Sequence, residues 1–322
     1  MLERHDAQGR EEQIGARRLR LAVGIATVGR PTVLAGMLKR LRQQKRPADS
    51  VVVCAPSAAD FEGVAEAFPD VTLLIGPRGL AHQRNAILHH LDDFDVVVFF
   101  DDDFVPCRKY LENVEQIMLD NPDVAMTTGH VLADGILGPG LTFEAADAAL
   151  NEALLTAPSG SLDWVYNGYG CNMSVRLAPV RQHALAFDEQ LPLYGWLEDV
   201  DFSRRLAGFG RLVRSDTTRG VHLGIKLGRS LGMPLGYSQI ANPFYLMCKG
   251  TMSWPRGLAQ MGRNVVKNAL FSVRPEPWVD RRGRLHGNAR ALLDLAWGRI
   301  DPTRIERLRK APGAAPVGAA KS

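Results

Sequence analysis

VVVFFDDDFVP, residues 96–106, carries five apolar residues, Val96 to Phe100, straight into three carboxylates, Asp101, Asp102 and Asp103. An apolar run of that length with no polar alternation reads as a strand buried on both faces. At its end three like charges sit at the edge of a core, where each loses hydration and repels the others. A divalent cation, or a set of cationic partners, would relieve that cost.

Strand and helix patterns alternate around this run. LRLAVGIAT (19–27), SVVVCAP (50–56) and VTLLIGP (71–77) read as buried strands. Between them RPTVLAGMLKRLRQQ places Val33, Leu34, Met37, Leu38 and Leu41 at helical spacing behind Pro31, a residue suited to a first turn. FEGVAEAFP is a short helix and AHQRNAILHHL (81–91) a longer one. The alternation predicts an α/β chain with a mostly parallel, Rossmann-like sheet covered by helices on both faces. In such sheets ligands bind beyond the carboxyl ends of the strands, where the aspartates stand. Further on come a helix, RKYLENVEQIMLDNP, a strand, VAMTTGHVL, and a less regular region, LDWVYNGYGCNMSVR (162–176). A loop leading into a helix (191–210) and a last strand and turn, RLVRSDTTRGVHLG, follow.

The 322 residues hold no apolar run near the roughly 20 needed to span a bilayer. The charged start, MLERHDAQGREEQIGARR, lacks the apolar centre of a secretion signal, and Cys54, Cys107, Cys171 and Cys248 form no metal or disulfide spacing. A cytoplasmic location is expected. Charge is uneven: residues 1–210 hold 19 Lys+Arg against 29 Asp+Glu, residues 211–322 hold 20 against 6. A basic carboxyl-terminal third suits an anionic partner such as a membrane leaflet or a phosphorylated ligand. The expected organisation is a disordered tail (1–18), a catalytic domain (19–235, with halves 19–130 and 131–235), a helical extension (236–310) and a second disordered tail (311–322).

The triplet alone leaves three readings. It can hold Mg²⁺ or Mn²⁺ on a nucleotide diphosphate, supply an aspartyl nucleophile for phosphoryl transfer, or merely cap the next helix. A second acidic cluster, WLEDVDFSRR, sets Glu198, Asp199 and Asp201 where a helix begins, a position that favours carboxylates. Asp201 also stands four residues from Arg205, as a helix-surface pair would. No GDxxxD-like segment supports the phosphoryl reading.

Taken in order, GIATVGRP, GLAHQRNAIL, FFDDDFVP, GCNMSVR, WLEDVDFSRRL and GVHLG resemble the motifs of a family 2 glycosyltransferase of the GT-A type, over roughly residues 19–250. The resemblance implies an inverting, metal-dependent transferase that moves a sugar from a nucleotide-sugar, expected to be UDP-linked, to a glycan or lipid-linked acceptor. It implies that Asp101 and Asp102 face the nucleoside, that Asp103 binds Mn²⁺ or Mg²⁺, and that His222 adds a further ligand. Thr27, Arg30, Arg84 and Asn85 would line the donor site, with Arg84 on a diphosphate oxygen. The family's acid after the second strand has no match in CAPSAAD, which offers only Asp60. Asp199 would be the general base, with Trp196, Glu198 and Asn172 on the acceptor side. Lys226 and Arg229 lie in a segment with glycines at 224, 228, 232 and 236, read as mobile, and would steady the leaving diphosphate from a lid.

Two other classes compete. A nucleotidyltransferase would also pair aspartates on a metal, but normally shows a glycine-rich, Lys-containing loop where this chain has ATVGRP. A non-catalytic surface-binding protein would keep the fold and the basic third alone. In that third, GLAQMGRNVVKNALFSVR (257–274) puts Leu258, Met261, Val265, Ala269 and Leu270 on one helical face. That face suits packing on the catalytic domain or peripheral contact with an anionic inner-membrane surface.

Overall fold

A computed structural model of the chain describes residues 18–226 and 232–309. Strands β1 (Leu21–Ala26), β2 (Ser50–Ala55), β3 (Thr72–Ile75) and β4 (Val96–Asp101) alternate with helices α1 (Pro31–Leu41), α2 (Val64–Ala67) and α3 (Leu80–His89). Then follow β5 (Phe104–Pro106), α4 (Tyr110–Asp120), β6 (Val124–Asp134), α5 (Phe143–Ala153), β7 (Leu162–Trp164), β8 (Asn172–Arg176), α6 (Leu177–Gln182), α7 (Glu198–Leu206) and β9 (Arg211–His222). The extension is helical: α8 (Gly232–Lys249), α9 (Trp254–Ser272), α10 (Arg281–Ala296) and α11 (Ile305–Arg309).

The expected parallel sheet is present in the order β3-β2-β1-β4. Beyond β4 it becomes mixed. β8 runs antiparallel to both β4 and β6, and β9 runs parallel to β6. β5 and β7 add short antiparallel pairings to β9. The irregular region expected at 162–176 thus contains two strands, and α5 and α6 were not legible either.

Two apolar layers cover the sheet, one built on Leu34, Met37, Leu38 and Leu41 of α1, the other around Phe99, Phe187 and Phe202. On each side of the acidic turn an aromatic ring anchors the chain. Phe100 and Phe104 stack at 5.2 Å, and Tyr110 meets Phe100 edge-on at 5.0 Å. Strand register does the rest. Ala26 pairs with Asp101, while His222 lies opposite both Phe104 and Asp134.

The extension shares a core with the loop before α7: Tyr237, Ile240, Ala241 and Leu246 pack with Leu191 and Val200. Gly232 and Gly236, expected in a mobile segment, instead belong to α8, which begins four residues before the expected boundary at 236. The reason is close helix packing. A Cβ on Gly236 would lie 2.6 Å from Arg284 Cα of α10, and one on Gly287 would lie 2.6 Å from Tyr237 N. In an open helix, alanine would be the better residue by about 0.8–1.0 kcal/mol. Here Gly236→Ala is expected to destabilise by about 1–3 kcal/mol through overpacking, seen as a fall in Tm of several degrees; an unchanged or higher Tm would refute this contact.

Candidate active site

The acidic turn is not a bare cluster of charge. Asp102 is fully buried, accepts a hydrogen bond from Thr27 Oγ1 at 2.5 Å, and is gripped by the Arg30 guanidinium through Nε, at 3.1 Å, and Nη2. Arg30 Nη1 also stands 3.4 Å from Asp103 Oδ2, which accepts the Ile225 N–H at 2.8 Å. Thr27, Arg30 and Asp102, each expected to touch the donor, are therefore brought together and bound to one another. Asp60 turns back to accept from the Gly29 N–H and from Ser57, fixing the loop after β1.

Asp101, Asp103 and His222 converge. One ligand atom from each lies within 4.8 Å of the others, so the three can hold a cation. His222 Nε2 is 3.4 Å from Asp103 Oδ1 and 3.9 Å from Asp101 Oδ2. It is buried and has no protein hydrogen-bond partner. The other ring nitrogen, Nδ1, is 2.9 Å from Asp134 Oδ1. Asp134 also accepts from the Ile136 N–H at 3.0 Å and the Tyr169 hydroxyl at 2.8 Å. Burial would raise the Asp134 carboxyl, but these hydrogen bonds outweigh it and hold it below the usual range. A carboxylate can only accept, so it fixes the proton on Nδ1 and aims the Nε2 lone pair at the two aspartates. Without a cation there, burial disfavours the imidazolium, yet Asp103, Asp134 and Asp101 more than offset it and raise His222 to about 10.

Arg84 joins this cluster to the second one. It is 2% exposed, and its Nη1 meets Glu198 Oε1 while Nη2 reaches Asp101 Oδ1 at 3.2 Å and donates to Gly170 O at 2.7 Å. The cation also lies over Phe99 and Phe187, 5.6 and 5.4 Å from their ring centroids. Its partners are thus internal to the protein. Asp199 Oδ2 accepts the Gly170 N–H at 3.1 Å. A Cβ built on Gly170 would stand 3.4 Å from Glu198 Oε1 and 3.5 Å from both Arg84 Nη1 and Asp199 Oδ2, so glycine leaves that space open. Burial raises both Glu198 and Asp199, with Arg84 opposing it. A raised carboxylate at the start of α7 has the basicity to take a proton.

The loop before α7 is strained: Leu193 and Leu197 have φ of 59° and 72°, in the region that favours glycine. Leu80 N–H holds Leu193 O at 2.9 Å, and Asn242 of α8 holds Trp196 O at 2.8 Å. Asp201 is an anchor as well, accepting from Arg205 Nε at 2.9 Å, Lys249 Nζ at 2.9 Å and Thr251 Oγ1 at 2.8 Å.

Three expected residues are engaged within the fold. Asn85 exchanges hydrogen bonds with the Phe187 backbone and reaches Glu189. Asn172 is fully buried between β8 and β6, accepting from Thr128 Oγ1 and donating to Gly129 O. Lys226 donates to Gly135 O and Ile136 O at 3.1 and 2.7 Å. Arg229 lies outside the described residues. Asp134 and Tyr169 were missed; the signal available was an acid before glycine at the end of a strand of the same sheet.

Arg84 is what a single substitution would test. Removing one partner of a buried ion pair leaves the other charge uncompensated, at a cost of about 3–5 kcal/mol. Arg84→Ala is expected to lose about that much in denaturant unfolding, with Arg84→Met/Glu198→Gln recovering part of it. A loss below about 1 kcal/mol would mean that Arg84 is not the counterion of this site.

No family model matches the chain, and no curated protein matches it in sequence. Solved structures resemble it in shape. The mannosyltransferase PcManGT from Pyrobaculum calidifontis, in complex with GDP-Man and Mn²⁺, is 18% identical with a TM-score of 0.50, over 94% of this chain and 78% of that one. GalNAc-T7 with UDP, GalNAc and Mn²⁺ is 12% identical with a TM-score of 0.54, over 90% of this chain and 58% of that one. S. aureus TarS 1–349 in complex with UDP-GlcNAc is 14% identical with a TM-score of 0.51, over 90% and 84%. The fold of this chain is the mixed α/β fold of GT-A-type glycosyltransferases.

Proposed function

We propose that this chain transfers a sugar, with inversion, from a nucleotide-sugar donor to a hydroxyl of a glycan or lipid-linked acceptor. The observation that carries the reading is the convergence of Asp101, Asp103 and His222, with one ligand atom of each within 4.8 Å of the others and the buried Nε2 directed between the two carboxylates. Two carboxylates and an imidazole suit Mn²⁺ or Mg²⁺, and the nitrogen favours Mn²⁺ over Ca²⁺. A cation held there would neutralise charge growing on a departing diphosphate.

The chain's own groups take the remaining roles. Thr27 and Arg30, at the carboxyl end of β1, would face the nucleoside, braced by Asp102. Asp199 would accept the acceptor hydroxyl's proton as that oxygen attacks the anomeric carbon from the face opposite the leaving group. Trp196 would offer a ring to the acceptor sugar. Arg84 would hold Glu198 and Asp101 in place beside the reacting atoms. A UDP-linked donor is proposed, and a panel that also contains a GDP-linked sugar tests it.

Three outcomes are expected. Asp103→Ala abolishes the Mn²⁺-dependent thermal shift given by UDP-sugars. Asp199→Asn keeps that shift but loses about 10²–10⁴-fold in transfer, the usual worth of a general base, measured as UDP release. Mn²⁺ affinity rises with pH, because each ion bound displaces the proton held on His222 to about 10; calorimetry in buffers of different ionisation enthalpy reads the proton released. Normal donor binding and turnover in both variants would reject the site, and Mn²⁺ affinity independent of pH would remove His222 from it.

A further inference from the structure

One face of α9 is apolar and exposed over most of the helix. The helix is fixed from behind. Met261 is buried, and Asn268 donates to Gln239 and Asn288 at 2.8 Å each and accepts from Arg281 at 3.2 Å. Val265 is half-buried against the same core. The single face expected from sequence is therefore divided: Met261 and Val265 pack inward, whereas Leu258 and Leu270 do not. The outward side carries Trp254, Leu258, Val266, Leu270 and, at the carboxyl-terminal cap, Val273, which are 52%, 55%, 56%, 68% and 81% exposed.

At 3.6 residues per turn, Leu258, Val266 and Leu270 fall within an arc of about 120°, and Arg256, Arg263 and Lys267 fill the arc of about 40° beside it. Between Asp216 and Glu276 the chain has no acidic residue. The stripe runs along a helix about 28 Å long, starts at a tryptophan and has a cationic edge. Among the described residues no helix is long and apolar enough to cross a membrane.

We infer that this face of α9 lies flat on an anionic lipid surface, with the apolar stripe in the acyl–headgroup boundary and Arg263 and Lys267 on lipid phosphates. Apolar area alone would suit any hydrophobic partner. The cationic edge, with no acid of its own, is what selects anionic headgroups, and a rigid amphipathic helix of this kind binds in the interface plane. α8, fastened to Asp201 and Trp196 O, ties this helical extension to the candidate active site. The inference goes beyond sugar transfer and does not depend on it, since it is read by binding alone.

Flotation of the purified full chain with vesicles of phosphatidylcholine, with and without 30 mol% phosphatidylglycerol (about a third anionic, in the range where surface charge attracts basic segments), tests it. Binding is expected to the anionic vesicles, at least tenfold weaker to phosphatidylcholine alone, and falling as salt is raised. Leu258→Glu/Leu270→Glu, at exposed positions, is expected to keep the wild-type Tm and lose binding at least tenfold. Arg263→Gln/Lys267→Gln, a milder pair, is expected to lose the preference for anionic lipid. Equal binding to both vesicles, no binding, or wild-type binding by both variants would overturn the inference. So would a wild-type dimer by light scattering that Leu270→Glu converts to a monomer without any vesicle binding, which would give this face to a second copy of the chain.

Discussion

The site depends on one buried cation. Arg84 is the only element that touches both acidic clusters among the described residues, meeting Asp101 at the end of β4 and Glu198 at the start of α7. Take it away and Asp101 and the buried Glu198 face one another without the guanidinium between them. With it present, the contacts run unbroken from Asp103 through His222, Asp101 and Arg84 to Glu198 and Asp199. The acidic turn also has cationic support on its other side, from Arg30. Three carboxylates at a core edge are thus tolerated because Arg30, Arg84 and His222 surround them, and because the Ile225 N–H reaches Asp103.

Positioning is shared between sheet and extension. Register along β9 sets His222 beside Asp134 and Phe104, and Asp134 in turn fixes which nitrogen of the imidazole is left open. On the opposite side, a strained loop leads into α7 and Asp199 and is held by α3, α8 and the apolar core around Tyr237. The helical extension is therefore part of the site's construction, through Asn242 on Trp196 O and Lys249 on Asp201. Its own outward surface is free to serve a different interaction.

Much of this was legible because strong local signals were involved. Unbroken apolar runs gave the parallel strands, and carboxylates at a strand end and a helix start marked the two clusters. His222, the last residue of β9, was marked by the resemblance of GVHLG to the family's motifs. What escaped depended on partners distant in the chain. An asparagine such as Asn85 or Asn172 has the same appearance in sequence whether its amide meets a ligand or completes a backbone, and here both complete the backbone. Arg84 looked like a ligand contact because nothing local shows that Glu198, more than a hundred residues on, will meet it. Asp134 comes beside His222 only through a β6–β9 register interrupted by bulges, which no periodicity predicts. Glycines four apart at 232 and 236 suggested a hinge, yet in a helix that spacing puts both on one face, where α10 needs them small.

The coupling between the two acidic clusters can be measured by a double-mutant cycle on stability with Asp101→Asn and Glu198→Gln. If Arg84 binds them into one electrostatic unit, the two losses are non-additive by about 0.5–3 kcal/mol. Additivity within about 0.3 kcal/mol, the behaviour of independent sites, would contradict a single electrostatic unit.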